Sequence, residues 1–500
     1  MIRRLNAVLR PQDRRDAEAG FTVIEVMVAM LVFAVMSIGI AYGIVNSLQL
    51  TQNSRGRTTA TALATQDIDQ LRQIAAASTN GIFQVISTTT TPPQKSIGGT
   101  TYTINRAVTW VQTDGSSGNC GATTSQAALA YKSVVETVTW RSANGAGLQS
   151  ITMTSGIAPS DAVTDPSDGT LLISVTDSTG APNPGVAVSV SAIAGGGGAA
   201  PSSTPPVTDT QGCAYVTNVQ PGTYTISVTE TGGIDSDQQQ PSSKSPISVK
   251  AGGSSPVPFT YDLATNYTNV KYASNLPKNT GALLPTNMLT TLSSSTGGLD
   301  QIAPWTATQT ITSDTPVPIS AFPFQGGYNG IYAGSYANSP AGGSTTCVNP
   351  NPSTWSTPNA AGQVGQSSAQ VPAPIGAQYT QQVSVPMGAA TIKGLSSSPT
   401  GNRWITAVSA TPATGDPGCN VPMTLTFPKA AGTTATIALP FGTWTLYAGT
   451  SAGATGPGNS YNVVAQNKSN VQMLTNGTVN QGALIIITWN NTVTFDPRGM

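Results

Sequence analysis

Histidine is absent from the 500 residues. That removes Ser/His/Asp triads, Cys/His pairs and metal sites built on imidazole. Charge is scarce as well: Asp, Glu, Lys and Arg make up 8% of the chain, where an ordinary domain carries about a quarter. Basic and acidic residues balance at 21 each, so there is no basic field to hold nucleic acid, and none is expected as a partner. Beyond residue 20, glutamate occurs only at Glu25, Glu136 and Glu230. Asp235 and Asp237 sit close together in a Gly-flanked loop, a spacing that suits Ca²⁺ or glycoside hydrolysis. No third acid stands nearby, which favours a solvated turn. Four cysteines (Cys120, Cys213, Cys347, Cys419) lack the short paired spacing of a metal site. No cofactor, no metal and no enzymatic activity are expected.

What the chain has is one long apolar run. Val26 to Val45 contains no charged residue, and twenty helical residues at about 1.5 Å each match the roughly 30 Å hydrocarbon core of a bilayer. A single carboxylate, Glu25, stands just ahead of it. Upstream lie Arg3, Arg4, Arg10, Arg14 and Arg15 against Asp13, Asp16 and Glu18. A secretory signal would place its small-residue cut site after a shorter apolar core, near Ala41-Tyr42-Gly43. Here Gly20 precedes the run, so cutting there leaves the hydrophobic helix on the mature protein. Removing five arginines and three acids from 21 of each leaves 16 basic and 18 acidic residues, a net charge of about −2. The arginine excess predicts a cytoplasmic leader and an extracytoplasmic body.

Gly20-Phe21-Thr22-Val23-Ile24-Glu25 resembles the cleavage and methylation motif of type IV prepilins, including minor pilins and pseudopilins. The resemblance implies that prepilin peptidase cuts between Gly20 and Phe21 and that the new amine of Phe21 is N-methylated. It also implies that Glu25 guides assembly with other pilin subunits and the pilus machinery. The 20-residue leader is long for the family. Physically, an acid in the first helical turn faces the positive end of the helix dipole, and an intramembrane acid marks function. Its implied partner is the Phe21 ammonium of a neighbouring subunit.

Ala60 to Ala77 lacks Gly and Pro, and Ala64, Ile68, Leu71 and Ala75 share one helical face until Asn80-Gly81 stops the helix. Ile82–Ser87, Thr101–Gln112, Lys132–Arg141 and Leu148–Thr154 read as strands. In the third of these, Val134, Glu136, Val138 and Trp140 alternate with Val135, Thr137 and Thr139, and the inward face is open. The expected fold is an α+β pilin domain, a long N-terminal helix on an antiparallel sheet, followed by all-β sandwich modules. The segments around Trp110 and Trp140 resemble minor pilins and pseudopilins.

The expected division is a leader at 1–20, a pilin-like domain at 21–157 with its membrane helix at 21–45, and a Pro/Asp/Ser-rich linker at 158–170. Residues 171–262 carry an Asp-x-x-Gly turn (Asp177 to Gly180), a second turn (Thr208 to Cys213), Pro221-Gly222-Thr223-Tyr224 and a last strand near Ile247 to Tyr261. This pattern resembles the Cna-B or carboxypeptidase-regulatory-like sandwich. Glu230 could mimic the acid of that family's Lys–Asn crosslink, but Leu171–Thr176 has no lysine, so no crosslink is expected. The run Gly195–Gly198 lacks a phosphate-loop ending and reads as flexible loop. Residues 263–375 and 376–500 are expected as two further β-rich modules. There Tyr328 and Trp444 follow Pro/Gly corners as Tyr224 does, and Ala483 to Phe495 forms a last strand. Tyr328, Tyr332 and Trp355, if exposed, could stack on sugars, although core positions are commoner for such residues.

An exported body permits disulfides. Spacing alone leaves three pairings open. Grouping by module favours Cys347–Cys419, with Cys120–Cys213 as the other pair. The expected function is that of a minor pilin-like structural subunit, first in the cytoplasmic membrane and then in a surface filament. The alternatives are a membrane-anchored adhesin that does not polymerise and a secretion-system pseudopilin.

Overall fold

The computed structural model describes residues 22–78, 81–88, 91–120, 126–142, 147–159, 163–335, 350–418, 423–475, 478–479 and 491–498. Its contacts divide the chain into one unit of residues 1–108 and 133–157 and another of 109–132 and 158–500.

In the first unit, helix α1 (Val23–Ala76) runs unbroken for 54 residues, about 80 Å at 1.5 Å per residue. The strands that follow are β1 (Gln94–Ile97), β2 (Thr100–Gln112), β3 (Ser117–Gly118), β4 (Leu129–Arg141) and β5 (Leu148–Ile157). Their order is β1-β2-β4-β5, with β3 on β2, and the ends of β2 and β4 beyond Val108 and before Ser133 count with the second unit. β1 and β2 are joined by Gly98-Gly99, both at positive φ, where a two-residue hairpin needs glycine. Ala60, Leu63 and Ala64 on the helix pack with Tyr102, Ile104, Val138 and Trp140 on the sheet. The expected strand Ile82–Ser87 is instead a 3-10 turn, Gly81–Gln84, followed by irregular chain. The chain doubles back so tightly that a Cβ on Gly81 would lie 2.2 Å from the Ile74 carbonyl.

The second unit opens with a sandwich of β6 (Gly169–Thr176), β7 (Ala187–Ala192), β8 (Cys213–Val219), β9 (Gly222–Thr229), β10 (Gly233–Asp235), β11 (Ser242–Val249) and β12 (Ser254–Leu263). One sheet has the order β10-β12-β6-β8, the other β11-β9-β7. The expected single strand Ile247–Tyr261 is therefore two, broken at residues 250–253, and they serve opposite sheets. Alternation along the strands sends Ile173, Val175, Val257 and Phe259 inward to meet Tyr224, Ile226 and Val228. Both sequence-read turns are Asx-stabilised: Asp177 Oδ1 accepts from the Thr179 and Ala181 amides, and Asp209 Oδ1 from those of Gln211 and Cys213.

The repeated Pro/Gly–aromatic pattern has one physical meaning at all three places. The Tyr224 hydroxyl donates to the Gln220 carbonyl (2.7 Å), Trp444 Nε1 to the Pro440 carbonyl (3.0 Å) and the Tyr328 hydroxyl to the Phe322 carbonyl (2.6 Å). All three side chains are fully buried. Each buries a large apolar body while its polar atom closes the corner that precedes it.

Residues 263–375 and 376–498 share one hydrophobic core, which also takes in Ile234. The strand Thr265–Tyr272 pairs antiparallel with Val317–Ala321 and parallel with Gln378–Tyr379 and Val383–Val385, so the expected boundary at 375/376 runs through one sheet. The last described strand, Val493–Phe495, is wholly buried against Gly442–Trp444. Most of the strand expected at Ala483–Phe495 lies outside the described residues.

Candidate functional site

The expected cut, between Gly20 and Phe21, lies outside the described residues. The helix start beside it is well defined. Thr22 holds an extended backbone and accepts the Glu25 amide on Oγ1 at 3.3 Å, and its carbonyl takes the Glu25 and Val26 amides. Thr22-x-x-Glu25 is the spacing of a capping box, and the carboxylate of Glu25 lies in the first turn, where the helix dipole favours it.

Past this cap the helix is bare. Val23 is 77% exposed and Leu50 71%, and every large apolar residue from Val23 to Val45 is exposed. No residue of the most apolar 18-residue window is buried. It is the one helix among the described residues long and apolar enough to cross a membrane. In water such a surface would cost about 25 cal/mol per Å², so it requires an apolar partner.

The same helix changes character at Gly56. From there Gly56, Ala60, Leu63, Ala64, Ile68, Leu71 and Ala75 form a buried stripe, starting earlier than the sequence-read face. Its first three turns carry small residues, which let the sheet approach. A Cβ on Gly56 would stand 2.8 Å from Trp140 Nε1.

An ion cluster joins helix to sheet a little further on, and the sequence reading missed it. Arg106 on β2 donates from Nε and Nη2 to the two carboxylate oxygens of Asp67 on α1, at 2.9 and 3.0 Å. It also donates from Nη1 to the Ile86 carbonyl at 3.3 Å. Glu136 on β4, wholly buried, brings Oε2 to 3.6 Å from Arg106 Nε. Burial first, and then the charge of Asp67, push the Glu136 carboxyl up to about 8, against the pull of Arg106. The alternation of β4 resolves with Val134, Glu136, Val138 and Trp140 inward. A glutamate in register with three apolar neighbours was the signal for it.

The aromatic candidates are structural. Tyr328, Tyr332 and Trp355 are buried, and Arg498 lies over the Trp355 ring at 5.5 Å while bonding Asp496 and the Thr357 carbonyl. In the run Gly195–Gly198, Gly195 and Gly197 are exposed, whereas a Cβ on Gly196 would strike Thr223 and one on Gly198 would lie 2.5 Å from the Tyr224 hydroxyl. Asp235 is buried, and its Oδ1 accepts the Asp237 and Gln239 amides. Cys120 and Cys213 are joined in a disulfide. Cys347 and Cys419 lie outside the described residues.

The described chain thus combines a capped, bare apolar helix that continues into a packed one with β-rich modules after it. Residues 15–41 match the family described as the prokaryotic N-terminal methylation motif, and the chain carries that motif. No curated protein matches the sequence. Among solved structures, the Bacillus anthracis TIE protein is similar at 12% identity over 75% of this chain and 70% of its own, with a TM-score of 0.17. The major pilin subunit of Bacillus cereus is similar at 10% identity over 59% of this chain and 92% of its own, with a TM-score of 0.14. Both scores lie below the level of a shared fold.

Proposed function

We propose that the chain is a minor type IV pilin-like structural subunit, cut by prepilin peptidase between Gly20 and Phe21, methylated at Phe21 and assembled into a surface filament. The observation that carries this is the bare apolar segment of α1 with one carboxylate, Glu25, in its first turn. Stored in the cytoplasmic membrane with the leader inside, that segment is solvated by lipid. In a filament it packs on the helices of neighbouring subunits, where Glu25 meets a Phe21 ammonium. The β-rich body then projects from the filament for adhesion, and its size suits a sparse or terminal position.

Glu25→Ala tests the reading. In a simple membrane anchor the change removes an acid from an apolar helix and does no harm. In a filament subunit it leaves a neighbour's ammonium buried without a partner, at a cost of about 3–5 kcal/mol. The variant is expected to be cleaved and membrane-bound yet absent from sheared filaments. Equal amounts of wild-type and variant protein in the filament fraction would refute the pairing. Wild-type protein missing from every filament would favour the anchored adhesin, for which the large body also speaks.

A further inference from the structure

The sandwich carries a cavity of about 450 Å³, within the range of small-molecule sites. Its place follows from strand alternation. Val175 and Phe259 point into the core, so Ser174 and Thr176 on β6 and Pro258 and Thr260 on β12 belong to the outer face of the β10-β12-β6-β8 sheet. These four residues line the cavity. Cys213, paired with Ser174 across the sheet, lines it too, and through its disulfide it brings Cys120 and Asn119 to the wall. The turn bearing Asp235 and Asp237, and Lys244 on β11, join the lining.

The chemistry of this lining is selective. Two carboxylates against one ammonium give a net negative wall, which disfavours phosphate or another anion. The wall is mixed: Pro258, Val175, the disulfide and the Phe259 edge give it an apolar share at least equal to the polar one, so a wholly apolar chain or a bare charge would each leave about half of it unmatched. Hydroxyls, the Asn119 amide and the acids supply donors and acceptors together. That mixture matches a ligand that is itself dense in neutral hydroxyls. We propose that this cavity is a binding subsite for a neutral saccharide, held between the Asp235–Asp237 turn and Lys244 against the outer face of the sheet. The proposal deepens the adhesive part of the reading above, but it holds whether or not the chain polymerises.

The test uses the full mature chain in a detergent without a sugar headgroup. Glucose, galactose, mannose, N-acetylglucosamine and lactose are titrated by calorimetry and by saturation-transfer NMR, with inorganic phosphate as the counter-probe. At least one sugar is expected to bind in the millimolar range, with no competition from phosphate. Asp237→Asn, at an exposed position, should weaken it by about fivefold or more, the worth of one hydrogen bond, with the melting temperature unchanged. Lys244→Gln, which also gives up the bond from Nζ to the Pro258 carbonyl, should weaken it at least as much. Reducing the disulfide should weaken binding in the wild type as well. Absence of binding by all five sugars, binding untouched by both substitutions, or displacement by phosphate would overturn the proposal. The Glu25→Ala filament result bears on none of these outcomes.

Discussion

Glu136 makes the joint between α1 and the sheet sensitive to alkali. Three ionisable groups meet there: Asp67 on the helix, Arg106 on β2 and Glu136 on β4. Arg106 is already engaged in two bonds with Asp67, so an ionised Glu136 would leave one buried negative charge in excess. The folded chain therefore holds the Glu136 proton up to about pH 8, against an ordinary value of 4.5. Between these values the folded state binds a proton that the unfolded state has released. Stability from this group is thus complete below about pH 4.5 and is lost as pH rises through about 8. The slope can reach about 1.4 kcal/mol per pH unit, so between pH 5 and 8 the loss is on the order of 4 kcal/mol at most. Glu136→Gln keeps the shape without the charge. It is expected to match the wild type near pH 5 and to exceed it by a few kcal/mol at pH 9. Asp67→Asn should flatten the wild-type slope, because it removes the like charge and frees Arg106 for Glu136. Hydrogen exchange of the amides in the Ala60–Ala76 segment, corrected for the intrinsic pH dependence of exchange, reads the opening free energy at this joint. A flat wild-type profile, or the same slope in Glu136→Gln, would refute the reasoning.

Two further outcomes follow from the packing. Gly56→Leu should drive the helix off Trp140, because even a Cβ would stand 2.8 Å from Nε1; a loss of about 1–3 kcal/mol is expected from overpacking, read as lost Trp140 fluorescence protection. Replacing Cys120 and Cys213 together with serine opens a loop with a sequence separation of 93. By the chain-entropy account that should cost about 4–5 kcal/mol, seen as a lower melting temperature of the second unit, whereas an unchanged value would show that the staple adds little.

Legibility tracked the range of the interactions. The apolar run, Glu25, the helix stripe and the Asp-x-x-Gly turns are local, and each left a local mark. The Tyr224, Tyr328 and Trp444 corners were readable because every one of them bonds a carbonyl four to six residues back. What escaped was set by distant partners. The inward turn of Glu136 depends on Arg106 and Asp67, both far along the chain. Gly196 and Gly198 looked as loose as Gly195 and Gly197 because the residues they pack on, Thr223 and Tyr224, come some 25 residues later. The merger of the last two expected modules rests on strand pairs over a hundred residues apart, and no composition boundary could reveal them.

The Cys120–Cys213 bond also rewrites the route of force through the chain. A subunit anchored by α1 and pulled from its C-terminal part would, without the bond, transmit tension through every residue in turn. With it, tension passes from Cys120 straight to Cys213, and the segment between them, which holds β4, β5, β6 and β7, drops out of the loaded path. A loop with a sequence separation of 93 could otherwise pay out roughly 300 Å of slack at about 3.3–3.6 Å per residue. Those strands thus ride as an unloaded side branch, and the segment between the two cysteines adds no length even if its strands separate.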